Sequence, residues 1–161
     1  MKAQDIMTKD VVSVKPEAKV TEVAKILYQK NFNGLPVIDN SGEVLGLITQ
    51  ADLLTRDSFG THIPSLIKML VDFQAIKTLE GEEKKELENI LSFDARSVMN
   101  ANYVSVFPQI SVEELTEIFN ERRVNPILVI DENKKLKGIV SRSDIMKLIG
   151  RIGEAEFEFS D

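Results

Sequence analysis

Hydrophobic and polar positions along this chain switch between a helical and a strand period, and the same succession occurs twice. Val20, Val23, Ala24 and Leu27 fall at i, i+3, i+4 and i+7, one face of an amphipathic helix. Ahead of them residues 11–14, V-V-S-V, read as a short strand with Ser13 facing outward, stopped by Pro16. Behind them Asn33-Gly34 punctuates the helix end, where a residue tolerant of left-handed geometry is wanted. Residues 35–39, L-P-V-I-D, have the composition of a buried strand, and Asn40-Ser41-Gly42 is a turn. Residues 44–49 form the next strand, and the hairpin spacing makes the two antiparallel neighbours. A second helix begins near Ala51, giving the order β-α-β-β-α.

The second half repeats this order. Residues 103–106 read as a strand followed by Pro108, and Ser111 with Glu114 makes an S-x-x-E capping box ahead of Leu115, Ile118 and Phe119. Residues 126–131 and 136–140 are strands around the turn Glu132-Asn133-Lys134, and a last helix runs from near Ser143 toward Gly150. Sliding the first half onto the second by 92 residues needs no gap from residue 3 to residue 54. Identical pairs include Met7/Met99, Val12/Val104, Ser13/Ser105, Val14/Val106, Pro16/Pro108 and Val20/Val112. Further along come Asn33/Asn125, Val37/Val129, Ile38/Ile130, Asp39/Asp131, Gly46/Gly138 and Asp52/Asp144. Chance does not keep so long an ungapped register. The expected fold class is therefore α/β (α+β): two β-α-β-β-α motifs, residues 1–54 and 95–150, packed about a pseudo-twofold axis.

Residues 55–94 separate the copies and are too long for a plain loop. Ile63, Leu66, Ile67, Leu70 and Val71 give one helical face with Pro64 in its first turn, and residues 79–91 give a second, heavily charged helix broken near its start by Gly81. The insert reads either as a solvated spacer over an apolar surface or as a docking or dimer-forming element. The acidic tail, residues 151–161, sets Phe157 and Phe159 among glutamates and reads as a frayed end or a short edge strand.

Composition narrows the function classes. The chain has 161 residues, 43% of them apolar, enough for a sizeable core. No apolar run approaches a membrane span, the N-terminus lacks a signal-peptide pattern, and there is no cysteine, which together fit a cytoplasmic protein. The net charge of −6 leaves no general nucleic-acid footprint, though a local cluster of donors can still take a nucleotide. Catalysis has little to stand on. His62 is the sole histidine and lies in the insert, no metal-ligand spacing is present, and Gly42-x-x-x-Gly46 lacks the Lys-Ser/Thr of a phosphate loop. The chain reads as no enzyme and as needing no cofactor.

The strand-to-helix turns carry the remaining chemistry. Thr49 and Asp52 in the first copy, and Ser141 and Asp144 in the second, place a hydroxyl and a carboxylate three residues apart at the start of a helix. S/T-x-x-D is itself a helix-capping pattern. The same helix end is an anion site through its free N–H groups and dipole. A carboxylate fixed there can accept hydrogen bonds from the cis-diol of a ribose, and the two readings coexist.

At these residues the chain resembles a tandem pair of CBS domains (cystathionine-beta-synthase domains, the Bateman module). The first copy carries D-I-M-T, V-V-S-V and N-G-L-P-V-I-D-N-S-G-E-V-L-G-L-I-T-Q-A-D-L; the second carries S-V-M-N, Y-V-S-V and N-P-I-L-V-I-D-E-N-K-K-L-K-G-I-V-S-R-S-D-I. The resemblance covers all but the insert and tail. It implies a regulatory or sensor module that binds an adenosine-containing ligand (AMP, ADP, ATP or S-adenosylmethionine) in clefts between the copies. It implies that Asp52 and Asp144 hold the ribose, with Thr49, Ser141 and Ser143 as hydroxyl partners. For the Asp144 cleft it implies Val12, Phe32, Asn33 and Gly34 around the adenine, with Thr8 nearby; for the Asp52 cleft, Asn100, Val104, Val124, Asn125 and Pro126. Ala51 stands where the second copy has Ser143, so the Asp144 cleft is the better-equipped one. Asn33 and Asn125 stand where some members place a basic residue, leaving Arg142, Arg123 and Lys9 as the nearest cations. The resemblance further implies a homodimer joined through apolar helix faces; with no effector domain evident among these residues, a regulated target, if one exists, is expected to be a separate effector protein. The alternative is a structural oligomerisation module with empty clefts.

Overall fold

The computed structural model describes residues 1–55 and 80–158. His62 and the helical face expected at residues 63–71 lie outside the described residues. In chain order the elements are α1 (Ala3–Ile6), α2 (Val20–Lys30), β1 (Gly34–Ile38), β2 (Val44–Thr49), α3 (Gln50–Thr55), α4 (Glu82–Ser92), α5 (Ala95–Val98), β3 (Ser105–Val106), α6 (Val112–Arg122), β4 (Ile127–Ile130), β5 (Leu136–Val140) and α7 (Arg142–Glu158). They fall into two packing units: residues 13–39 with 45–101, and residues 1–12 with 40–44 and everything from 102 onward. The repeat boundaries near residues 54 and 95 are therefore not the packing boundaries.

In the unit built on the first copy, α2 forms because its apolar positions recur on one face. Val20, Val23 and Leu27 are buried against Leu35 and Val37 of β1 and Ile48 of β2. Each such side chain contributes about 1.5–3 kcal/mol by leaving water. β1 and β2 pair as a two-stranded sheet. The strand expected at residues 11–14 shrinks to one parallel bridge, Val14 with Val37. Val12 belongs to the other unit and Pro16 ends the pairing, so Val14 alone exchanges bonds with the Pro36 carbonyl and the Ile38 N–H, both at 3.0 Å. The end of α2 also differs from expectation: Asn31, at φ 53°, closes the helix, and Gly34 is the buried first residue of β1. Asparagine adopts the left-handed region at little cost, so it ends the helix before Asn33-Gly34 is reached. The core is completed by Ala95 and Val98 of α5. Asp94 caps α5 by accepting from the Ser97 hydroxyl (2.7 Å) and N–H (2.9 Å), and these bonds hold its carboxyl below the usual range. The charged helix of the insert begins at Glu82 rather than residue 79, because Gly81 at φ 67° breaks the chain before it.

The unit built on the second copy has three strands in the order β3-β4-β5. β3 runs parallel to β4, and β4 antiparallel to β5 with Leu128 opposite Ile139 and Val129 opposite Gly138. The strand expected at residues 103–106 keeps only Ser105 and Val106. Pro108 ends it, and at its other end the Tyr103 phenol donates to the Val44 carbonyl at 3.2 Å instead of following the sheet. Burial raises the pKa of that phenol, with Glu43 adding to the shift. The residue 40–44 hairpin tip is held in the same unit by the Lys135 ammonium, which donates to the Ser41 carbonyl (2.6 Å) and hydroxyl (2.8 Å). The core comprises Ala3, Val106, Val112, Leu115, Phe119, Ile127, Val129, Val140 and Ile145. The tail is neither frayed nor a strand as far as residue 158: α7 runs on to Glu158, since Arg151, Glu154, Ala155 and Glu156 are all good helix formers.

The leading arm of each copy packs on the body of the other, and the same bonds recur 92 residues apart. Ala3 N–H donates to the Ile110 carbonyl (2.9 Å) and Gln4 N–H to that of Pro108 (3.0 Å). Ala95 N–H donates to the Ala18 carbonyl (2.7 Å) and Arg96 N–H to that of Pro16 (3.0 Å). Thr8 pairs with Ile139 in one unit, as Asn100 pairs with Leu47 in the other. The capping box of α6 is formed as expected: Ser111 Oγ accepts the Glu114 N–H, and the Glu114 carboxylate accepts the Ser111 N–H, both at 3.2 Å. Ser111→Ala is expected to cost about 1 kcal/mol of stability, read as a lower urea midpoint with unchanged slope.

Candidate functional site

Both hydroxyl–carboxylate turns are built where an apolar strand ends and a helix begins. In the second-copy unit, Ser141 follows β5 and Asp144 lies in the first turn of α7. The Oδ2 atom of Asp144 accepts the Ser141 N–H at 2.8 Å and the Ser141 hydroxyl at 2.7 Å. Ser141 Oγ also lies 2.6 Å from Ser143 Oγ, so the two hydroxyls and the carboxylate form one chain of hydrogen bonds. In the first-copy unit, Thr49 ends β2 and Asp52 lies in α3. Asp52 Oδ2 accepts the Thr49 N–H and hydroxyl, both at 2.8 Å, and Thr49 Oγ1 accepts the Asp52 N–H at 3.2 Å. Ala51 gives that turn no second hydroxyl.

Each carboxylate thus spends one oxygen on the turn and directs the other elsewhere. Asp52 Oδ1 has no polar partner among the described residues. Asp144 Oδ1 is met by the Lys147 ammonium at 3.2 Å, a lysine one helical turn along α7. Asp144 is only 12% exposed at its side chain, whereas Lys147 is 69% exposed. Lys147 is the residue that sequence reasoning missed. Its signal was the i, i+3 spacing from Asp144, which places both on one helix face.

The structure brings Thr8 to the Asp144 turn: its backbone exchanges bonds of 2.9 and 3.0 Å with Ile139, two residues before Ser141. Val12 belongs to the same unit and is 39% exposed. Asn100 stands in the corresponding place by Leu47, two residues before Thr49. Asn125 accepts the Arg142 N–H through Oδ1 at 3.1 Å, placing it beside the Ser141–Asp144 turn of its own copy. Pro126 is buried after a cis peptide bond, Val124 packs against the core, and the Val104 carbonyl accepts the Leu128 N–H at 3.2 Å. Phe32, Asn33 and Gly34 lie in the first-copy unit, where the Gln50 side chain donates to the Phe32 carbonyl (2.9 Å) and the Gln50 N–H to that of Asn33 (3.3 Å). Of the candidate cations, Arg142 is committed through Nη2 to the Phe119 carbonyl at 2.9 Å, and Arg123 is the left-handed residue closing α6. Lys9 lines an open cleft of 1210 Å3 with Met7, Phe107, Asp131 and Lys137, which contains none of the turn residues. Among the described residues no cluster of His, Cys, Asp or Glu fits a metal ion, and no helix is long and apolar enough to cross a membrane.

Comparison with known proteins assigns the repeat. The model of the CBS domain family matches residues 3–58 and 95–151. Inosine-5'-monophosphate dehydrogenase of Methanocaldococcus jannaschii is 26% identical over 146 residues, 91% of this chain but 23% of that relative, so the chain spans about a quarter of it. The solved structure of CBSX2 in complex with AMP is similar at a TM-score of 0.69, with 22% identity, 94% of this chain and 98% of that one. The CBS domain pair of protein MJ0100, in complex with 5-methylthioadenosine and S-adenosyl-L-methionine, is similar at 0.65, with 22% identity, 93% of this chain and 96% of that one.

Proposed function

This chain belongs to the CBS domain family as a tandem pair, and on that premise we propose that it is a non-catalytic sensor of an adenosine-containing ligand. The observation that carries the reading is the Ser141–Ser143–Asp144 network at the start of α7. Asp144 presents one fixed carboxylate oxygen toward a ligand, and the helix end beside it favours an anion. Ribose hydroxyls donate to Asp144, and Ser141, Ser143 and Thr8 supply further polar groups. Thr49, Asp52 and Asn100 form a second, less equipped turn. Relatives of this fold that hold AMP, or 5-methylthioadenosine and S-adenosylmethionine, support the ligand class. Signalling follows if the ligand binds one conformation more tightly than another, which shifts the population toward it. The affected element then acts on a separate effector protein.

A specific observation favours a second reading. The Oδ2 atoms of Asp52 and Asp144 are already satisfied by their own turns, as in a pure helix cap of a structural oligomerisation module. Met146 and Ile149, three residues apart on α7 and 60% and 56% exposed, support a homodimer under either reading. A thermal-shift panel of AMP, ADP, ATP, S-adenosylmethionine and adenosine separates the two readings. A ligand at about 100 times its dissociation constant is expected to add about 2.7 kcal/mol of stability. A panel without any shift, on folded protein, leaves the structural module.

A further inference from the structure

Asp144 and Asp52 are not equivalent, and one difference is the residue three positions further along the helix. Two bonds from Ser141 occupy Oδ2 of Asp144, so Oδ1 is the atom open to a ligand hydroxyl. The Lys147 ammonium already sits at 3.2 Å from that atom. At the corresponding position of the first copy the chain has Thr55, three residues after Asp52. We propose that Lys147 is a specificity-determining residue that makes the Asp144 turn prefer an adenosine ligand bearing negative charge over a neutral or cationic one. This rests on the nucleotide-sensor reading and extends it to the ligand's charge.

Binding exchanges one partner of Asp144 for another. A ribose diol that reaches Oδ1 displaces the ammonium. The pair it breaks has a mostly exposed, flexible lysine as one partner, so the lysine does not block entry. A neutral nucleoside returns nothing to the freed cation, and a sulfonium ligand such as S-adenosylmethionine adds positive charge beside it. A phosphate pairs with it. Lysine suits such a transfer because its ammonium is a compact point charge on a flexible four-carbon stem. Two candidate cations are placed otherwise: the Arg142 guanidinium is tied to the Phe119 carbonyl, and Lys9 lines the cleft beside Phe107.

The test is calorimetric titration of the full chain with AMP and with adenosine. An Asp52→Asn background keeps the cap geometry of the first turn while removing its carboxylate. With Lys147 present, AMP is expected to bind more tightly than adenosine. Lys147→Met is expected to reduce that preference about fivefold, through weaker AMP binding, while adenosine binds equally well or better. Lys147→Arg is expected to retain it. A purely structural lysine would change both affinities together or neither, so an unchanged AMP-to-adenosine ratio in Lys147→Met overturns the inference and leaves the sensor reading standing. If neither ligand binds the chain with Lys147 intact, the sensor reading fails and takes the inference with it. Lys147 is mostly exposed, so the variants are expected to fold, and matching unfolding midpoints check this.

Discussion

Asp144→Ala is expected to weaken binding of AMP at least tenfold. The carboxylate is the one charged acceptor that the second turn presents, and a hydrogen bond to a charged group contributes about 1.5–3 kcal/mol, a factor of ten or more in affinity. The same substitution removes the cap of α7, because Asp144 Oδ2 accepts both the N–H and the hydroxyl of Ser141. Loss of a cap costs about 0.5–2 kcal/mol of stability, so the two consequences need separating. Asp144→Asn does this: the amide oxygen can still accept from Ser141, while the charge that strengthens a ligand hydroxyl's bond is gone. The expected pattern is a large loss of affinity in both variants and a smaller loss of stability in the asparagine variant. Equal affinity of Asp144→Asn and the unaltered chain, measured by calorimetry, would reduce the turn to a helix cap.

Gly138→Ala is expected to destabilise the second-copy unit by about 1–3 kcal/mol, the range for a forced overpacking. A Cβ there would lie 2.5 Å from Met7 Sδ, 2.8 Å from Met7 Cγ and 3.0 Å from the Thr8 carbonyl oxygen. The methionine can turn away, but the Thr8 backbone is tied to Ile139 in both directions. At Gly46 in the other unit the three nearest atoms all belong to Met99, Sδ at 2.7 Å, Cγ at 2.9 Å and Cβ at 3.0 Å. Met99→Ala and Met7→Ala each remove the Sδ and Cγ contacts and leave one at 3.0 Å, the Met99 Cβ or the Thr8 carbonyl oxygen, so each is expected to recover part of the stability lost in its glycine variant. Urea midpoints of the two double-mutant cycles check this. Because Thr8 lies beside the Asp144 turn, Gly138→Ala is also expected to weaken AMP binding, which Gly46→Ala does not do at that turn.

The identity of Gly46 and Gly138, with that of Met7 and Met99, was visible in the repeat, but not that each methionine would cover the glycine of the other copy. Periodicity reports which face of an element is apolar and is silent about which copy of a duplicated sequence supplies the cover. That is why the units cut the chain at residues 12 and 102 rather than at the repeat boundaries. The long apolar patterns were legible because spacing alone fixes which face is buried, as at Val20, Val23 and Leu27 or at Leu115 and Phe119. Residues 11–14 misled because four β-branched and small residues satisfy strand composition, while pairing also needs a neighbour, and Val14 alone has one. At the site, the hydroxyl–carboxylate spacing announced both turns, and the bonds within them are those of the pattern. Lys147 was hidden because a lysine three residues after a helical aspartate is ordinary on any solvated face. Its meaning comes from which oxygen of Asp144 the turn leaves unused.

The most direct test is an NMR titration of the isotope-labelled chain with AMP, following the backbone amides. The account predicts saturable shifts centred on Ser141, Ser143, Asp144 and Thr8, with weaker ones at Thr49 and Asp52. Shifts confined to the cleft around Phe107 and Lys137, or no shifts on a folded protein at millimolar AMP, would contradict it.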